Sequence, residues 1–217
     1  MRITTFIAAT ATLALAAGTA AFAAPAASAS DKLGNAPLSD VLLADGDTFD
    51  NSKWDYDIVT QAALTVIGAK GEDTPVYLLT QGDVALTAFL PRDIAFYRLV
   101  KDLTGSWPKS EKAAFNTVAS LGVDTVEKVL TYHVVPGLTI DSSMALASDG
   151  AKLPTADGGN TFTVDVKNRP SGSVGIRLID NDPDLRNPWV VKTQLDINEG
   201  NKQIAHGISR VLIPVNL

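Results

Sequence analysis

Two histidines, 24 acidic residues and no cysteine limit the chemistry this 217-residue chain can attempt. Without thiols there is no disulfide framework, thiolate metal site, cysteine nucleophile or lipid-modified cysteine. His133 and His206 alone cannot hold a transition metal, and no residue pattern supplies the missing ligands. Asp180, Asp182 and Asp184 alternate like the first ligands of a calcium loop. Leu185 stands where that loop needs glycine, however, and Val191 where it needs glutamate. Asp45, Asp47 and Asp50 form a second acidic group. Both groups read as solvated loops, so no metal site and no cofactor is expected. The segment from Asp45 to Asp57 interleaves its acids with Phe49, Trp54 and Tyr56 and is the place to watch for a ligand. The chain has no nucleophile elbow, histidine-bearing metal motif or phosphate-cradling glycine loop. Nothing selects one carboxylate pair for acid–base work, and the chain reads as a non-enzyme.

The elements that must position these residues follow from charge and periodicity. With 46% hydrophobic and 19% charged residues the chain has enough apolar content to fold, and a net charge of -6 argues against nucleic acid as partner. Arg2, then an apolar Ala- and Leu-rich run and the small-x-small site Ala27-Ser28-Ala29, predict a signal peptide over 1–29 and a secreted product. A flexible lead-in over 30–37 and a single domain over 38–217 are expected to follow, with no transmembrane anchor in the mature chain. Helical spacing marks 57–67, 94–103 (capped by Asp93) and 110–121. Asp124-Thr125-Val126-Glu127 has the form of a capping box opening a further helix. Val76 to Leu79 and Val84 to Leu90 read as strands around Gln81-Gly82-Asp83. Alternation at 161–166, and the runs 174–179, 189–191 and 204–215, give more strands. Helices first and strands afterwards imply an α+β domain with an antiparallel sheet.

Three separated segments resemble the fasciclin domain family. Thr87-Ala88-Phe89-Leu90-Pro91-Arg92-Asp93-Ile94-Ala95-Phe96 is similar to its first motif, with Leu90 and Arg92 as departures. Leu130-Thr131-Tyr132-His133-Val134-Val135-Pro136-Gly137 matches the central Tyr-His motif. Ile204-Ala205-His206-Gly207-Ile208-Ser209-Arg210-Val211-Leu212-Ile213-Pro214 looks like the closing motif, with Ser209 where aspartate is usual. The resemblance implies a wedge of antiparallel β-strands flanked by several α-helices. It also implies a secreted, non-catalytic module for cell adhesion or for interaction with the extracellular matrix or cell envelope. Tyr132, His133, Asp196 and Ile197 match positions that contribute to integrin binding in some animal members. The bland reading of Tyr132 and His133, as interior groups fixing the fold, is the stronger one, with Asp93 the candidate partner of a buried His133. The Ala-rich leader, absent cysteines and lack of glycosylation acceptors suit a bacterial source. Partners are expected among extracellular or cell-surface proteins and matrix components, self-association included. The alternative is a soluble carrier holding a small apolar ligand between helices and sheet.

Overall fold

The run Leu86-Thr87-Ala88-Phe89-Leu90-Pro91 offers no polar face to water. In the computed structural model, which describes residues 33–44, 46, 48–168 and 172–216, it is strand β1 (Leu86–Pro91), buried along its whole length. The expected signal peptide lies outside the described residues. Strand β1 pairs antiparallel with β2 (Val134–Pro136) and parallel with β6 (Gln203–Ile208). Side chains alternate across a strand, so Leu86, Ala88 and Leu90 enter one core while Phe89 enters another. The first core is closed by five helices: α1 (Leu38–Ala44), α2 (Asp57–Lys70), α3 (Asp93–Thr104), α4 (Glu111–Ala119) and α5 (Val123–Tyr132). The second lies against an antiparallel sheet of β3 (Lys152–Pro154), β4 (Thr161–Asn168) and β5 (Val174–Ile179), with the short α6 (Ser142–Leu146) beside it. Residues 189–191 stitch the two sheets together. Val190 N donates to Ile176 O at 2.9 Å, and Val191 N to Gly207 O at 2.8 Å. The expected α+β wedge is present, but its central pair is parallel. The chain passes through α3 to α5 and the whole second sheet before β6 returns beside β1, a crossover long enough for parallel pairing.

Local chemistry accounts for the other departures from the sequence reading. The segment expected as a strand at 76–79 is a 3-10 helix, Pro75–Thr80, because Pro75 sets its first turn and Thr74 Oγ1 accepts from Val76 N at 3.3 Å. The expected capping box does not form. Gly122 is the cap of α5, and Asp124 and Glu127 both accept from Lys70 Nζ of α2, each at 2.5 Å. Tyr132 is the last residue of α5. Asp93 does not cap its own helix: its Oδ1 accepts from Ile58 N at 2.9 Å and so satisfies an orphan donor at the start of α2. Residues 33–37, part of the expected lead-in, are held to the domain. Gly34 N donates to Gly200 O at 2.8 Å, Lys202 N to Gly34 O at 2.9 Å, and Ala36 N to Asn201 Oδ1 at 3.0 Å.

Gln203 on β6 ties this N-terminal strap to the rest. Fully buried, its Oε1 accepts from Leu38 N at 2.8 Å while its Nε2 donates to Leu78 O at 2.7 Å and Gln81 O at 2.8 Å. Replacing it with leucine leaves the Leu38 N–H without a partner in a dry interior and takes a donor from the Leu78 and Gln81 carbonyls, which keep one backbone donor each. Gln203→Leu is expected to cost about 2–4 kcal/mol, read as a fall in urea midpoint at unchanged slope.

Candidate functional site

The Tyr-His pair stands at the junction of α5 and β2, on the inner side of both. Tyr132 is fully buried edge-on to Phe162, with ring centroids 6.0 Å apart, and its hydroxyl donates to Thr161 O at 3.0 Å. Burial pushes the phenol above its ordinary range. His133 is 3% exposed and both its ring nitrogens are engaged. Nε2 accepts from Leu212 N at 2.9 Å, which makes Nδ1 the protonated nitrogen, donating to Val129 O at 2.7 Å. The imidazole is therefore a connector between the end of α5 and the segment after β6. Its partner is not Asp93, as the sequence suggested, because Asp93 Oδ1 is committed to α2. Burial without a carboxylate beside it pushes the His133 pKa down to about 4.

Asp196 and Ile197 lie elsewhere, half-buried on an edge. Asp196 takes a left-handed backbone conformation, φ 54°. Its carboxylate accepts from Ser142 N at 2.7 Å and from the Ser142 hydroxyl at 2.5 Å, which satisfies a free donor in the first turn of α6. The Asp196 N–H donates to His206 Nδ1 at 3.2 Å, and His206 Nε2 donates to Ile140 O at 2.8 Å. Burial lowers the His206 pKa, so this ring is a neutral backbone connector too. Its 3.9 Å approach to the Asp196 carboxylate is no ion pair. Serine, aspartate and histidine thus meet without forming a nucleophilic triad: the Ser142 hydroxyl donates to the carboxylate, and the imidazole serves only backbone. Ile197 pairs with Ala205 of β6, N–H to carbonyl at 2.9 Å in both directions.

Beside Asp196 the structure opens a pocket that the sequence did not reveal. About 390 Å³ in volume, it lies between α6 and β5 and is lined by Ser142, Leu146, Val174, Ile176, Val190 and Leu195. That volume falls within the range of small-molecule sites. Leu146 and Val174 on its walls are 44% and 45% exposed, so the pocket carries an apolar rim open to solvent. The lining comes from three distant stretches of chain, so the pocket exists only in the folded domain. The 180–184 loop is not solvated as expected. Asp182 is buried with Oδ1 accepting from Asp184 N and Leu185 N, both at 2.8 Å, and Asp180 Oδ2 accepts from Ile213 N at 2.9 Å. Burial pushes the Asp180 carboxyl up to about 6 against those hydrogen bonds.

The model of the fasciclin domain matches residues 71–214, more than half of the chain and all three motifs. The chain belongs to the fasciclin domain family. Fasciclin domains are adhesion-type modules, generally non-enzymatic, of extracellular or surface proteins. A solved FAS1 domain pair from the insect cell adhesion molecule fasciclin I is similar, at 15% identity and a TM-score of 0.46, covering 70% of this chain and 44% of that one. The chain thus spans less than half the length of that solved domain pair. No curated protein sequence matches it. Among the described residues, no helix is long and apolar enough to cross a membrane.

His133 is neutral in the folded domain but protonates freely in the unfolded chain. Its contribution to stability is therefore complete above about pH 6.5 and is lost as the pH falls toward 4. The stability advantage of wild type over His133→Gln is expected to shrink by up to about 3 kcal/mol across that interval. Urea titrations of both proteins at several pH values check this, and a constant difference would count against it.

Proposed function

We propose that this fasciclin domain works by non-catalytic binding outside the cell or at its surface, and that its contact surface is the α6–β5 face with the Asp196–Ile197 edge beside it. One observation carries the reading: two exposed aliphatic side chains, Leu146 and Val174, flank a pocket whose Ser142 and Leu195 adjoin Asp196, in the part of the expected binding set that reaches solvent. Tyr132 and His133 support this face from within, by fixing the α5–β2 junction, rather than by touching a partner. The partner is an extracellular or cell-surface protein or a matrix component, and a second copy of the domain fits the same description. An apolar side chain presented by that partner would enter the pocket, with Lys192 at its border offering a cation.

The pocket volume favours a second reading, a carrier for a small apolar molecule held between helix and sheet. The two separate cleanly by experiment. Leu146 and Val174 are exposed, so Leu146→Asp with Val174→Asp should fold normally while placing charge on the apolar rim. Wild type is expected to bind immobilised cell-envelope or matrix preparations saturably, and the double variant at least about tenfold more weakly, a loss of about 1.4 kcal/mol. Equal binding by both proteins would remove this face from the interaction. A native mass spectrum carrying a small bound ligand would move the assignment to the carrier.

A further inference from the structure

The acidic segment flagged in the sequence acquires partners that the sequence could not show. It crosses the start of α3, where the N–H groups of Asp93 and Ile94 donate to the carbonyls of Asp55 and Lys53 at 3.0 and 2.9 Å. Nearby, Asn51 N donates to Glu111 Oε2 at 2.7 Å and Asp50 N to Asp57 Oδ2 at 3.2 Å, which draws the segment against α4 and α2 as well. Carboxylates from three stretches of chain are thereby gathered. Oxygens of Asp55, Asp93 and Glu111 lie within 4.8 Å of one another, and so do those of Asp50, Asp55 and Asp57. Acids crowd on many surfaces without consequence, but the core of this cluster is not on the surface. Asp93 and Glu111 are each 0% exposed, and Asp93 Oδ2, Glu111 Oε1 and Asp55 Oδ1 are buried with no hydrogen-bond partner. None of the ion pairs among the described residues reaches Asp55, Asp93 or Glu111. The nearby cations are used otherwise: Lys53 Nζ lies over the Tyr97 ring at 5.0 Å and the Arg92 guanidinium over Trp54 at 5.0 Å.

Buried acceptors facing one another without a donor are unfavourable, and either a proton or a cation must relieve them. A proton shared by Asp55 and Asp93 would satisfy that pair and leave the Glu111 oxygen without a donor. A cation answers all three at once. The donor set is oxygen only, with no imidazole or thiolate, which suits a hard divalent ion. So many carboxylates in one place suit calcium better than magnesium, which keeps most of its water. The exposed Asp50 and half-buried Asp55 leave a way in from solvent. We propose that Asp55, Asp93 and Glu111, with Asp50 and Asp57 alongside, bind a calcium ion that fastens the 50–57 segment to the starts of α2, α3 and α4. Burial and the neighbouring carboxylates hold the Asp93 and Glu111 carboxyls above their ordinary range, so protons compete with the ion and acid weakens its binding.

The test is calorimetric titration of calcium chloride into chelator-stripped protein, with thermal melts beside it. Saturable one-to-one binding is expected, with a rise in Tm on adding calcium and a weaker response to magnesium. Glu111→Gln and Asp55→Asn should each lose about tenfold or more in calcium affinity. Should either buried variant fail to fold, Asp50→Asn at the exposed end still tests the site and is expected to weaken binding. No heat and no Tm change up to about 10 mM calcium would overturn the proposal, since that exceeds the weakest range of extracellular calcium modules. A Glu111→Gln protein that melts higher than wild type while neither responds to calcium would assign the cluster to a shared proton instead.

Discussion

The pairing of β1 with β6 is the constraint from which the rest of the domain follows. Both strands are buried on both faces, so each must be satisfied by hydrogen bonds along its edges and by apolar contact above and below. One face meets the helices and the other meets the second sheet, and β2 beside them divides in the same way, with Val134 in one core and Val135 in the other. The candidate functional residues hang from this pair. His133 sits between β2 and the segment after β6, and His206 and Gln203 are on β6 itself. Ile197 pairs with Ala205, and Asp93 lies two residues beyond the end of β1.

A buried strand pair makes particular demands on polar groups. The chain between elements must turn in a dry interior, where stray N–H and carbonyl groups are costly. Gln203, His133 and His206 answer that need, each joining backbone from separate parts of the chain. Residue types that elsewhere announce catalysis act here as hydrogen-bond connectors, held neutral by burial. The same reasoning separates the two acidic loops. At 180–185 the carboxylates receive backbone donors and the loop is internally satisfied, whereas around Asp93 buried oxygens remain without any donor.

How much of this was legible in the sequence depended on the range of the interaction concerned. Periodicity within one element located α2, α3, α4, β4 and β5 because each has one wet face and one dry face. It located β1 as well, since an unbroken apolar run is what a doubly buried strand requires. Signals that rest on a neighbour in space were misread. Asp124 and Glu127 imitate a capping box until Lys70 arrives from α2, and Asp93 resembles the cap of its own helix until Ile58 comes within reach. The interior placing of Tyr132 and His133 agreed with the bland reading of those residues, whereas the partner of His133 did not, because two backbone groups replaced the carboxylate. The α6–β5 pocket and the Asp93 cluster draw on stretches of chain that nothing in the primary structure links, so neither could be read ahead of the fold.

The shared strand also governs the order of events as the domain assembles. Ala205 belongs to one core and Ile208 to the other, so neither is complete until residues 203–208 have settled beside β1. Closing so long a loop costs chain entropy before any contact offsets it, and folds dominated by such pairings form slowly. Helices can flicker early, but β1 must wait with its open edge exposed, the kind of edge on which chains aggregate. The domain therefore assembles late and in a single cooperative step, and whatever holds the chain apart from its neighbours during that wait sets the yield of folded protein.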